Sequence, residues 1–255
     1  MRAFIFDLDG TLVQTETLKA KSYAKAAMSL RPGEIDEKAI FEVFKDVVGL
    51  TRQEVATVIV QRFKLEAALK DKMLEWEVST PWQAFLQMRI HNYESLLADP
   101  HILNDYLCPY NIGLLKWAKK KGFKTGLATM SHCAEVQRVL HILNLNNDFN
   151  FIASRDDVEN GKPDPEIYLL VAQQLGVKNS ECIVIEDSLT GLKAAKNAHM
   201  QCIVVTNEFT FKAIHNSRLI EKKRIVDNPR EIKRVVQHYL FINSKKGLKY
   251  NGLKA

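Results

Sequence analysis

Apolar residues follow two different patterns along this chain. In the second half, short and nearly continuous apolar runs occur at 124–128, 149–153, 182–185 and 201–205. Each reads as a strand buried on both faces. The stretches 111–121, 132–143, 165–175, 190–198 and 229–240 carry helical spacing instead. Alternating strands and helices predict a parallel sheet covered on both faces through right-handed crossovers. The run Phe4-Ile5-Phe6 supplies a further strand at the amino end.

The segment 14–107 has helix signals and almost no strand signals. Thr51-Arg52-Gln53-Glu54 and Thr80-Pro81-Trp82-Gln83 both fit the capping box, and Pro81 suits a first helical position. Phe85, Met88, Tyr93, Leu96 and Leu97 suit one helical face. The simplest organisation is an α/β core from 1–13 and 108–242, an all-helical insertion at 14–107 and a basic tail at 243–255. Ligands of open parallel sheets bind at the carboxyl ends of the strands. An insertion leaving that end is placed to act as a lid that excludes water and selects substrates.

With 255 residues, 46% hydrophobic and 26% charged, the composition is that of an ordinary globular protein. No apolar stretch of signal-peptide length precedes Asp7, and no run of about 18 uncharged apolar residues occurs, so a soluble cytoplasmic protein is expected. Cys108, Cys133, Cys182 and Cys202 form no C-x-x-C pair and read as structural thiols. The net charge of +6 is spread along the chain and concentrates only in Lys245-Lys246-Gly247-Leu248-Lys249-Tyr250, which a solvated tail explains. No nucleic-acid motif accompanies it, so neither nucleic acid nor membrane is expected as a partner, and the expected state is a monomer or weak homo-oligomer.

The chemistry begins at Asp7-Leu8-Asp9-Gly10-Thr11-Leu12. Residues i and i+2 of a strand share a face, and the glycine lets the backbone curl over a ligand. Two converging carboxylates repel, which raises a pKa or recruits a cation. Three other segments reach the same sheet edge. Thr129-Met130-Ser131 precedes a helix with Glu135 in its first turn, and either binds an anion or merely caps the helix. Gly161-Lys162-Pro163-Asp164-Pro165 sets a lysine in a stiff turn, with Asp164 as N-cap and Pro165 at the first helical position. Glu186-Asp187-Ser188 ends an apolar strand before Gly191, where buried acids call for a metal, an ion pair or a cap. No phosphate-binding P-loop and no G-x-G-x-x-G fingerprint is present.

In this order the four motifs resemble the haloacid-dehalogenase-like phosphohydrolase superfamily, in its helical-cap subgroup and beta-phosphoglucomutase-like branch. The resemblance implies a Rossmann-like core, a bound Mg2+ and an aspartyl-phosphate intermediate. It makes Asp7 the nucleophile and a metal ligand. Asp9 becomes the general acid and base and offers its carbonyl to the metal. Thr129 and Lys162 hold phosphoryl oxygens beside Met130 and Ser131, and Asp187 with Glu186 completes the metal site. Gly49-Leu50-Thr51-Arg52 is similar to a cap loop that presents an arginine to substrate. Two positions depart from the branch: Gln14 replaces a common Asp, and Lys19 stands where sugar phosphomutases place a His. Lys19, Arg52, Trp82, Arg89 and His132 are the candidates to face the ligand from the cap. Ala198-His199 replaces the usual Ala-Gly. The resulting expectation is a Mg2+-dependent phosphatase of a small phosphorylated metabolite, with a sugar phosphomutase as alternative and a non-catalytic binding protein as a third reading.

Overall fold

The computed structural model describes residues 1–48 and 50–251, with side chains as far as residue 242. Its contacts divide the chain into two compact units, Met1–Val13 with Leu107 onward, and Gln14–Tyr106.

The first unit is built on six parallel strands: β1 Ala3–Phe6, β2 Lys124–Ala128, β3 Phe151–Ala153, β4 Cys182–Glu186, β5 Gln201–Val205 and β6 Ile225–Val226. Their spatial order is β3-β2-β1-β4-β5-β6. β1 is central, with Phe6 opposite Leu127 on one side and Ile185 on the other. Its four residues are all buried, so both faces of the strand must be apolar. Ala3 and Ile5 belong to one buried cluster with Val184, Cys202, Tyr168 and Val171. Phe4 turns the other way, onto Trp117 and Phe123, and Phe6 packs against Phe149.

The helices of this unit are α7 Pro109–Lys120, α8 Cys133–Ile142, α9 Glu166–Gln174, α10 Leu189–Asn197, α11 Phe211–Ser217 and α12 Ile232–Asn251. α9 packs against β2 because Gly126 has no side chain: a Cβ there would lie 2.4 Å from Val171. The direction of winding reverses at β1, and the crevice at such a reversal is where doubly wound sheets bind ligands.

The second unit holds α1 Thr15–Leu30, α2 Glu37–Val47, α3 Arg52–Arg62, α4 Lys70–Glu75, α5 Pro81–Ala98 and α6 Pro100–Asp105. α5 packs on α1, α3 and α4, and Tyr23 joins Phe44 and Phe85 in its core. The Thr51 capping box forms, with Glu54 N–H donating to Thr51 Oγ1 and Thr51 N–H to Glu54 Oε2. At Thr80 both N–H and hydroxyl donate to Gln83 Oε1.

Several expected boundaries move. β3 starts at Phe151 rather than 149, because 146–148 forms a 3-10 turn and Asn150 takes up Thr125. The helix expected at 229–240 opens with a 3-10 turn at Pro229–Glu231 and then runs from Ile232 to Asn251. β6 is a two-residue strand, too short to stand out as an apolar run. The basic cluster from Lys245 to Tyr250 and Gly49 of the cap loop lie outside the residues whose side chains are described. Among the described residues, no helix is long and apolar enough to cross a membrane.

Candidate active site

The carboxyl ends of β1, β2 and β4 bring the four motifs together. Asp7 follows β1 directly, and its N–H donates to Ile185 O at 3.0 Å, which fixes it beside β4. Gly10 then adopts φ +77°, a conformation that disfavours a side chain. A Cβ at Gly10 would also stand 2.1 Å from Asp187 Oδ2. The glycine therefore serves the turn and the close approach of the fourth motif.

Lys162 is the hub. Its side chain is 4% exposed, and Nζ donates to Asp7 Oδ1 at 2.7 Å, Glu186 Oε1 at 2.6 Å and Ala128 O at 3.0 Å. All three ammonium protons are thus placed. The ammonium also lies 4.9 Å from the centre of the Tyr168 ring. Glu186 is fully buried and equally committed: Oε1 takes Lys162 and the Tyr168 hydroxyl, while Oε2 accepts from Asp187 N, Ser188 N and Ser188 Oγ. Gly191 leaves room for this carboxylate, since a Cβ would meet Glu186 Oε1 at 1.8 Å. The cap of α10 comes from Ser188, whose hydroxyl accepts from Gly191 N, so Asp187 does not serve as the cap. Asp187 Oδ2 instead accepts from Asn207 Nδ2 at 2.8 Å.

Thr129 and Ser131 do not cap α8. Both hydroxyls donate to Asp9 Oδ2, at 3.0 and 2.8 Å, and Thr129 Oγ1 accepts from Ser131 N. The α8 amino end is satisfied from 23 residues away, where Asp156 Oδ2 accepts from Cys133 N and Oδ1 pairs with His132 Nδ1. Met130 buttresses the lysine turn, with its Sδ accepting from Lys162 N at 3.4 Å. Pro165, not Asp164, occupies the N-cap of α9, while Asp164 Oδ1 accepts from Glu166 N. His132, expected among the cap candidates, belongs to the sheet-bearing unit at the start of α8. Lys19, paired with Glu16 at 2.7 Å, and the exposed Arg52 belong to the helical unit. Trp82 and Arg89 lie there too, on α5.

The electrostatics follow from burial. Desolvation lifts the Asp7 carboxyl to about 8 against the opposing pull of Lys162, with Glu186 and Asp9 adding to the rise. Burial also opposes the charge of Glu186, but Lys162 and the hydrogen bonds from Lys162, Tyr168 and Ser188 hold it below its ordinary range. Lys162 is raised despite burial because Asp7 and Glu186 flank it. One oxygen each of Asp7, Glu186 and Asp187 lies within 4.8 Å of the others, and all three residues are buried. Three carboxylates against one ammonium leave an excess of negative charge, and hard oxygen donors of this kind suit Mg2+. Because both Glu186 oxygens are already engaged, Asp7 and Asp187 are the carboxylates better disposed to hold an ion. The Asp9 carboxylate is drawn off to Thr129 and Ser131.

Tyr168 and Asn207 went unnoticed in the sequence. Tyr168 sits within the helical spacing of α9 and looks like an ordinary core aromatic. Asn207 follows β5 in a turn, its Oδ1 accepting from Phe209 N and Thr210 N, in a segment that no apolar or helical pattern marks.

The pattern described as haloacid dehalogenase-like hydrolase matches residues 1–199. The "Phosphorylated carbohydrates phosphatase" of Thermotoga maritima is 29% identical over 80% of this chain and 84% of its own length. "Hexitol phosphatase B" of Escherichia coli (strain K12) is also 29% identical, over 80% and 82%. Among solved structures, a "putative beta-phosphoglucomutase" from Thermotoga maritima superposes with a TM-score of 0.70 at 26% identity, covering 93% of this chain and 99% of that one. With the four motifs assembled at one sheet edge, the chain belongs to the haloacid dehalogenase-like hydrolases, and its chemistry is that of a phosphoric monoester hydrolase.

Proposed function

We propose that the protein is a Mg2+-dependent phosphatase of a small phosphorylated metabolite of sugar type, working through an aspartyl-phosphate at Asp7. The observation that carries this reading is the buried contact between Lys162 and Asp7, residues 155 positions apart, beside Glu186 and Asp187. Phosphoryl transfer needs positioned cations more than covalent machinery. Lys162 holds Asp7 Oδ1, which leaves the second oxygen to attack phosphorus as the ester P–O bond breaks. Asp9 gives its proton to the departing oxygen and later takes one from the water that cleaves the acyl phosphate, help typically worth about 10² to 10⁴ in rate. Thr129 and Ser131 hold Asp9 by two hydroxyls and so set where its carboxyl waits. Bound through Asp7, Asp187 and the Asp9 carbonyl, Mg2+ would offset the charge of the phosphate. Glu186 acts by keeping Lys162 charged and in place.

The sugar preference rests on the names of the relatives, both phosphatases matched over four-fifths of this chain. The proposed location is the cytoplasm, where charged esters of this kind would be met. The likeness to the Thermotoga maritima structure supports a second reading, a sugar phosphomutase. The two are separated by incubating hexitol, hexose 1- and hexose 6-phosphates with Mg2+. Free phosphate from all classes is expected; interconversion of hexose 1- and 6-phosphate with little phosphate released would favour the mutase, and no turnover of any ester would refute both.

A further inference from the structure

Two neighbouring acids at the end of β4 are held by partners of different chemistry. Glu186 Oε1 meets the Lys162 ammonium at 2.6 Å, whereas Asp187 Oδ2 accepts from the Asn207 amide at 2.8 Å. An ammonium offsets the charge of the carboxylate it touches; a neutral amide only directs it. The Asn207 contact can therefore turn the carboxylate towards an ion without competing with that ion for its charge. The amide also faces Asp187 in one sense only. Asn207 Oδ1 accepts from the N–H groups of Phe209 at 2.9 Å and Thr210 at 3.2 Å. Two N–H donors require an oxygen, so the NH2 end must face Asp187; a flipped amide would set NH2 against both donors and oxygen against oxygen.

The chain on either side of Asn207 is clamped as well. Thr206 is buried, and its N–H donates to Val226 O at 3.0 Å, extending the pairing of β5 with β6 by one bond. Its hydroxyl donates to Asp227 Oδ1 at 2.7 Å. Asn207 N donates to Thr210 Oγ1 at 3.2 Å, and Asn207 O accepts from Phe211 N at 3.0 Å, where α11 begins. The amide is thus held by its own turn before it meets the carboxylate. The oxygen it takes is the one that a Cβ at Gly10 would approach to 2.1 Å, so the first motif and the β5–α11 loop both bear on Asp187 Oδ2.

We propose that Asn207 is the positioning residue for Asp187: its amide fixes the rotation of that carboxylate, and with it the affinity of the site for Mg2+, without touching the ion or the ester. This rests on the reading above that Asp187 is a Mg2+ ligand.

Asn207 serves both the turn and the carboxylate, and two substitutions separate these roles. In Asn207→Ser the hydroxyl still accepts from the N–H groups two and three residues on, but is too short to reach Asp187. Asn207→Ala loses both contacts. Titration calorimetry of the full chain with MgCl2 alone reads the affinity. Groups that orient a metal-binding side chain are typically worth about 10- to 100-fold in metal affinity, so Kd for Mg2+ should rise about tenfold or more in Asn207→Ser and by a similar factor in Asn207→Ala. Only Asn207→Ala should also lower the melting temperature in EDTA. The Mg2+ concentration giving half-maximal phosphate release should rise in step with Kd. An affinity loss found only in variants that also melt lower is the mark of a residue that merely builds the turn, and would overturn the inference; so would an unchanged Kd in both variants. A wild type that binds no Mg2+ would remove the metal-dependent reading itself, and this inference with it.

Discussion

Replacing Lys162 by methionine keeps most of the side-chain volume and removes the cation that, among the described residues, contacts Glu186. In the metal-free protein Asp7 already tends to carry a proton, so Glu186 is the charge left stranded. It then stays ionised without a partner or binds a proton. From its ordinary value of 4.5, protonation at pH 7 costs about 3 kcal/mol, and the stabilisation that depressed it in the wild type is lost as well. The protonation part alone reaches the lower end of the roughly 3–5 kcal/mol typical of breaking a buried pair. At about 2–4 °C per kcal/mol for a unit of this size, melting should fall by roughly 6–20 °C. The sign with pH follows. In the wild type Glu186 is depressed, so its stabilisation is present above 4.5 and is lost as pH falls through the lower folded value; in the variant it is raised, so its penalty appears only as pH climbs past 4.5. The gap should be widest near neutrality and shrink towards pH 4. Differential scanning calorimetry in EDTA at pH 7 and pH 4.5 measures it. A shift below 2 °C at pH 7, or a gap that does not narrow in acid, would refute the reasoning.

Asp7 gives a second pH signature. Its folded value is raised to about 8, so the stability it contributes is full below its ordinary 3.8 and is lost as pH rises through 8. In EDTA the melting temperature should decline between pH 5 and 8, and Mg2+ should raise it more at pH 8 than at pH 5; a shift independent of pH would contradict the charge argument. His199 sits at φ +56° just past α10, where glycine is favoured. His199→Gly should stabilise by about 0.5–1 kcal/mol, the relief of left-handed strain less the greater freedom of glycine in the unfolded chain, and a denaturant titration that shows a loss would count against it.

The fold was legible where local pattern decides it. Continuous apolar runs gave β2, β4 and β5 within a residue, because strands covered on both faces have no polar side to obscure them. His199 was visible as an oddity, and the left-handed backbone now explains it in physical terms rather than functional ones. Contacts between distant segments were not legible. Nothing near His132 signals that Asp156 satisfies the start of α8. Nor does the spacing of Thr129 and Ser131 say that their hydroxyls turn to Asp9 rather than to the helix. The same holds for Tyr168, which is a core residue by pattern and a ligand of Glu186 by position. Such pairings depend on how strands line up, and a sequence pattern carries no register between strands.

The central claim is that Asp7 itself becomes phosphorylated. Mixing the protein with a 32P-labelled sugar phosphate and Mg2+, quenching in acid within milliseconds and mapping the labelled peptide tests it most directly. The account predicts a hydroxylamine-sensitive label on the peptide that contains Asp7, formed and lost at rates that support turnover, and absent from Asp7→Asn. Label on another residue, or Asp7→Asn releasing phosphate as fast as the wild type, would contradict it.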